Sequence, residues 1–240
     1  MRWVARLRQA PVTVALLAIN VGVYLAMVVA SHHAVSFERE TLIAAGASVR
    51  TLSIAFSPWR WLAAAYVHGG LLHIVMNMWV LAQIGALGEV AIGRGLFAAI
   101  YVAAGVAGNV LATLMGPRLP ADAAALDGVN PLAYAPISVG ASGAIMGLIG
   151  VSAVFAWQTG QRAIARSLLT NVAFIFVVGM FANVDNYAHL GGLLLGGAVG
   201  LWRARWKQPL APRLERALIG AAAALSASAL LIVHLLGGQR

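Results

Sequence analysis

A hydroxyl, three of the six imidazoles and a carboxamide stand out in this chain: Ser142, His68, His73, His189 and Asn77. A serine hydroxyl becomes a nucleophile when a neighbouring base takes its proton, and neutral imidazole does this near neutral pH. Acyl transfer then needs donors for the tetrahedral oxyanion. The Asn77 amide, the His73 ring and the Ser142 backbone N–H are candidates. His73 and Asn77 are one helical turn apart and share a face. Ser142 lies in P-I-S-V-G-A-S-G-A-I-M-G-L-I-G (Pro136–Gly150), where Gly140, Gly143, Gly147 and Gly150 form a bare stripe at helical spacing. Each residue alone has a plainer explanation. Ser142 reads as a small packing residue, His68 and His73 as satisfied interior histidines, Asn77 as an interhelical hydrogen-bonder and His189 as a helix-end residue. No strand is expected before Ser142, so the soluble-hydrolase nucleophile elbow does not fit.

These residues must be carried by membrane helices. The chain has 240 residues, 61% hydrophobic and only 10% charged, too apolar for a soluble domain. Its apolar segments are long enough to cross a bilayer. The first is expected to be a membrane helix and not a cleaved signal. Seven helices are predicted, at about 11–30, 61–87, 96–115, 138–157, 168–181, 185–202 and 217–236, read as one domain over 1–240. The loop from Ser31 to Arg60 holds both charge signs and many apolar residues, which points to the membrane interface. Glu89 and Arg94 are placed in a short loop, and 116–135 in a solvent-exposed connection. His32 and His33 are read as surface residues, and His234 as structural.

Basic residues give the orientation. Of sixteen Lys and Arg, eleven fall at 2–8, 94, 162–166 and 203–216, and five at 39, 50, 60, 118 and 240. The positive-inside rule therefore places the N-terminus in the cytoplasm. The net charge of +9 is thus an orientation signal, and no nucleic-acid partner is expected. Absence of cysteine excludes disulfides and thiolate catalysis. With this orientation, Ser142 lies four residues inside its helix and His189 four inside its own, each about 6 Å deep from the outer side. His189, Gly192, Gly196 and Gly200 share one face opposite the Ser142 stripe, so close approach would bring imidazole and hydroxyl within hydrogen-bond reach. Buried polar groups in lipid are costly unless paired or functional.

H-G-G-L-L-H-I-V-M-N (His68–Asn77), G-A-S-G-A-I-M-G (Gly140–Gly147) and A-H-L-G-G-L-L-L-G (Ala188–Gly196) resemble the three signature blocks of the rhomboid intramembrane serine proteases. Trp59-Arg60 resembles the W-R pair that the family carries before its second helix. The resemblance spans about residues 11–202 and implies a rhomboid-like six-helix core with one added C-terminal helix. It implies Ser142 as nucleophile and His189 as base, a dyad without an acid. His73 and Asn77 then support the oxyanion, with His68 and Gly140 in supporting places. The helix at 168–181 becomes a gate for a substrate helix, and 31–60 a membrane-embedded loop. Met146 stands where some members have an aromatic residue against the histidine, and Ser57-Pro58 where an acidic residue often precedes W-R.

Other chemistries fit less well. A membrane aspartyl protease needs two buried carboxylates, and every Asp and Glu is expected in a loop or at a helix end. The zinc-protease motif H-E-x-x-H is absent. An inactive rhomboid relative that binds membrane helices as a scaffold would usually have lost the Ser or the His. A metal or haem carrier would use His68, His73 and His189. The expectation is an intramembrane serine endopeptidase without metal or cofactor, acting on transmembrane helices of other proteins. The expected location is a bacterial cytoplasmic membrane, with the site opening outward.

Overall fold

The computed structural model describes residues 7–116, 135–181, 185–205 and 210–237. Seven long helices dominate: α1 (Pro11–Ser31), α5 (Leu71–Ile92), α6 (Arg94–Met115), α7 (Ser142–Gln158), α8 (Arg162–Phe181), α9 (Asn186–Arg203) and α10 (Pro212–Gly237). Three short helices, α2 (Arg39–Ala44), α3 (Arg50–Ala55) and α4 (Arg60–Ala63), lie between α1 and α5. One ribbon of two strands, β1 (Ser48–Val49) and β2 (Ile137–Ser138), joins distant parts of the chain. The fold is an all-α polytopic membrane protein. Among the described residues α1, α5, α6 and α10 are long and apolar enough to cross a membrane. The glycines and polar residues of α8 and α9 lower their hydropathy, and α7 has 17 residues, about 25 Å.

The centre of the bundle is α6, α7 and α9. These helices touch backbone to backbone. A Cβ on Gly192 would sit 1.9 Å from the Gly143 carbonyl oxygen, and one on Gly196 1.9 Å from that of Gly147. On the α6 side, a Cβ on Gly108 would sit 2.5 Å from the Ala188 carbonyl oxygen. Such approaches are open only to residues without side chains, and they compensate for the lack of a hydrophobic drive between helices in lipid. Tyr101, Phe97, Met146 and Leu148 fill the remaining space as buried core. The more peripheral α1 and α10 turn residues such as Leu25, Val29, Leu225 and Leu231 outward, as expected for a lipid-facing surface.

Several expected boundaries change. The predicted helix at 61–87 is two elements. A short α4 ends at Ala63, His68 lies in the connection, and α5 starts after Gly70 and continues to Ile92. Val35 and Ser36 cause the break. A Cβ on Gly70 would sit 2.5 Å from the Val35 carbonyl oxygen, and Ser36 pairs with Gly70 as an antiparallel bridge. The helix expected from Ser138 starts at Ser142, because Ile137 and Ser138 pair with Val49 and Ser48. Ser142 is therefore the first helical residue, and a short strand does precede it. The helix expected at 168–181 has 20 residues and starts at Arg162, and the last helix has 26. The expected exposed connection at 116–135 falls, apart from Gly116 and Ala135, outside the described residues.

Glu89 is inside α5 and buried, not in a loop. Its carboxylate accepts from the Val12 and Thr13 N–H groups (3.1 and 2.7 Å) and from Thr13 Oγ1 (2.8 Å). Ala10 offers no capping side chain to α1, so Glu89 satisfies the orphan donors of that helix end and complements its dipole.

Two substitutions separate packing from mere helix content. Gly192→Ala forces a methyl into the Gly143 carbonyl and is expected to cost about 2 kcal/mol or more. Gly197→Ala meets nothing within 4 Å and should leave stability unchanged or raise it by about 0.5 kcal/mol. Thermal unfolding in detergent reads both. Glu89→Ala should lower stability by about 2–3 kcal/mol, because three donors lose a charged acceptor. Unfolding in mixed micelles measures that loss.

Candidate active site

The site residues are carried by three segments that the first loop ties together. Phe37 N–H donates to the Gly69 carbonyl (3.3 Å) and Leu71 N–H to that of Val35 (2.9 Å), fixing the approach to α5. The ribbon β1–β2 fixes the approach to α7. Buried Arg60 shapes the loop by donating to the carbonyls of Ile43 (2.7 Å) and Ala47 (3.1 Å). Asn109 of α6 donates to the Trp61 carbonyl (2.8 Å) and accepts from Ser138 Oγ (3.0 Å), joining α4 to β2.

Between β2 and α7 the chain turns at Gly140, whose φ of +117° is a glycine conformation. Gly140 N–H donates to the Ala64 carbonyl (2.9 Å). Ala141 N–H donates to His68 Nε2 (3.4 Å), while His68 Nδ1 pairs with the Tyr66 carbonyl (3.2 Å). Both His68 bonds form together only when Nδ1 carries the proton. The His73 ring lies edge-on to His68, centroids 5.2 Å apart. Gly69 N–H donates to His73 Nδ1 (3.4 Å), which leaves the proton on Nε2. That nitrogen faces the turn: a Cβ on Gly140 would sit 2.7 Å from it.

Ser142, half-buried, is thus set beside the Gly140 turn and at the open end of α7. Its N-cap, Ala141, has no side-chain acceptor, so the first-turn N–H groups point out of the helix end. Asn77 is buried on α5, and its amide donates to the His73 carbonyl one turn back (2.9 Å).

His189 sits one turn into α9, where Asp185 caps the helix by accepting from Ala188 N–H (3.0 Å). It is 2% exposed, and neither ring nitrogen has a hydrogen-bond partner among the described residues. The expected Ser142–His189 hydrogen bond is not formed in this structure. The two residues are nevertheless brought to adjacent helix starts. A Cβ on Gly143, next to Ser142, would sit 3.1 Å from the carbonyl oxygen of Ala188, next to His189. Met146 is buried in the core, and the aromatic ring against His189 is Phe176 of α8, edge-on at 6.1 Å. Asn186 donates to the Phe176 carbonyl (3.2 Å), which fixes that pairing. Sequence reading missed Phe176, because its placement depends on how α8 packs. His32, His33 and His234 are exposed and stand apart from this cluster.

A family model of the rhomboid domain matches residues 55–206. The chain is 30% identical to Rhomboid protease GluP of Bacillus subtilis (strain 168) over 178 residues, 70% of this chain and 31% of that protein. It is 28% identical over 202 residues to Rhomboid protease AarA of Providencia stuartii, covering 79% of this chain and 71% of the relative. It is 31% identical over 148 residues to RHOMBOID-like protein 6, mitochondrial, of Arabidopsis thaliana, covering 59% and 42%. The chain belongs to the rhomboid family, and it spans about a third of GluP and under half of the Arabidopsis relative.

The Gly140 turn gives a sharp test. Gly140→Ala combines a positive φ with a methyl 2.7 Å from His73 Nε2, so the turn and the ring cannot both keep their places. Stability should fall by about 1–3 kcal/mol. Gly160→Ala, also at positive φ (+78°) but with open space around it, should cost no more than about 1–2 kcal/mol, which isolates the His73 contact.

Proposed function

We propose that this protein is an intramembrane serine endopeptidase that cleaves transmembrane segments of other membrane proteins. The observation that carries the reading is the paired helix starts. Glycine contacts set the first turns of α7 and α9 against each other, with Ser142 on one and, on the other, buried His189, whose ring nitrogens have no hydrogen-bond partner among the described residues. A buried imidazole nitrogen without a bond costs about 1–3 kcal/mol, and this supports a role for His189 in taking a proton from a neighbouring group.

In this reading His189 takes the Ser142 proton as the hydroxyl attacks a substrate carbonyl. The proton passes to the leaving amine, and water then hydrolyses the ester by the reverse sequence. His73 Nε2–H, the Ser142 N–H and the second Asn77 amide hydrogen supply donors for the oxyanion. His68 and Gly140 hold the turn that presents Ser142. No metal or cofactor takes part.

The substrate is a membrane helix that reaches the site from the lipid. Helix α8 packs on α7 and less on α9, without a comparable contact to α5. Exposed Met76 and Trp79 on α5 and Phe174 and Val177 on α8 are apolar, as a lateral passage for a helix requires. A peptide bond within an intact helix has its carbonyl hydrogen-bonded, so the scissile segment must unwind first. The arrangement of basic residues favours an N-terminus inside and a site facing outward, and the seven-helix layout with short loops favours a bacterial cytoplasmic membrane.

A fluorophosphonate probe tests the dyad in detergent. Wild type should label at Ser142, and Ser142→Ala and His189→Ala should lose labelling by about a thousandfold or more. Absence of labelling in the folded wild type would favour the inactive helix-binding relative, and labelling that survives Ser142→Ala would move the nucleophile elsewhere. For cleavage, a Gly-Gly pair beside the scissile bond should raise the rate over Leu-Leu, since glycine weakens a helix by about 1 kcal/mol per residue. Cleavage of a reconstituted single-span substrate measures this.

A further inference from the structure

We infer that the C-terminal helix α10 positions the catalytic serine, acting through Ser226 and Tyr66. The connection between α4 and α5 holds the Gly140 turn by two bonds, Gly140 N–H to the Ala64 carbonyl and Ala141 N–H to His68 Nε2. Tyr66 stands between those two anchors. Its carbonyl pairs with His68 Nδ1, and its hydroxyl lies 2.6 Å from Ser226 Oγ on α10. Ser226 Oγ already donates to the Ala222 carbonyl (2.8 Å), so the Tyr66 hydroxyl is the donor to Ser226. The Tyr66 ring is fully buried, packed 5.8 Å from Tyr101, which in turn meets Asn20 of α1 at 2.9 Å.

A continuous set of bonds therefore runs from α10 to the residue before Ser142: Ser226, Tyr66, His68, Ala141. The same helix braces the neighbourhood at a second point. A Cβ on Gly46 would meet Val233 Cγ2 at 2.9 Å and Trp59 at 3.3 Å, so α10 also backs the first loop. The added helix thus sets the height of the 64–70 connection, and that connection sets the Gly140–Ser142 turn. Ser226 and Tyr66 are positioning residues: they touch neither substrate nor the reacting atoms. The orienting bond needs only an oxygen at position 226, so threonine should replace serine.

The kinetic part of this inference rests on the protease reading, and the exchange part does not. Hydrogen–deuterium exchange in detergent micelles compares wild type, Ser226→Ala, Tyr66→Phe and Ser226→Thr. The peptide covering 139–142 should exchange about threefold faster or more in Ser226→Ala and Tyr66→Phe, while 152–158, at the far end of α7, stays at the wild-type rate. Ser226→Thr should restore protection. Unchanged exchange at 139–142 in a folded Ser226→Ala variant would overturn the inference, whether or not the protein cleaves anything. If wild type cleaves, the two variants should lose about tenfold in kcat with KM within about twofold, and Ser226→Thr should recover the rate. Loss through KM alone, or uniform loosening of both peptides, would mean that α10 acts by general stability instead.

Discussion

The contact on which the rest of the structure depends is that of two backbones with nothing between them. At Gly143–Gly192 and Gly147–Gly196 the carbonyls of α7 lie where a Cβ of α9 would be. In water such an interface would sacrifice buried apolar area. In lipid no such area is gained from side-chain burial, and dispersion between close backbones is the main attraction available. The contact starts at the first turn of each helix, so it fixes the relative height of residues 142 and 189 before any side chain acts. Core side chains such as Met146 and Leu148 then fill what the backbones leave.

The second organising device is the first loop. It looks like a connection, yet it pairs with the approach to α5 and, through β1–β2, with the approach to α7. His73 and Ser142 therefore inherit their mutual placement from one short piece of chain. Arg60 holds that piece from inside through backbone acceptors, beside buried apolar side chains of the loop such as Phe37, Leu42 and Val49. Buried donors and acceptors such as these have little water to fall back on, which makes each such bond matter more than at a protein surface.

What the sequence made legible follows from what is local. Periodic apolar runs and the glycine stripes are local patterns, and they gave the long helices and the close contact of α7 with α9. Pairing across long separations was not legible. Ser138 reads as a plausible helix start, but its partner is Ser48. His68 sits in an apolar run, and only the Val35–Gly70 contact shows why no helix includes it. Glu89 looks like a loop residue, because its donors are 76 and 77 positions away. Phe176 has no signal in its own neighbourhood, since its relation to His189 arises only when α8 folds back on the bundle.

Glu89 has a further consequence for the membrane. It ties the start of α1 to the far end of α5, sixteen residues from His73, about 24 Å along that helix. The carboxylate works as a depth gauge: α5 cannot slide past α1 without parting the carboxylate from the three donors that hold it. A bilayer of different thickness must then be met by leaning the whole bundle or by deforming the lipid, with the spacing between the two levels inside the protein preserved.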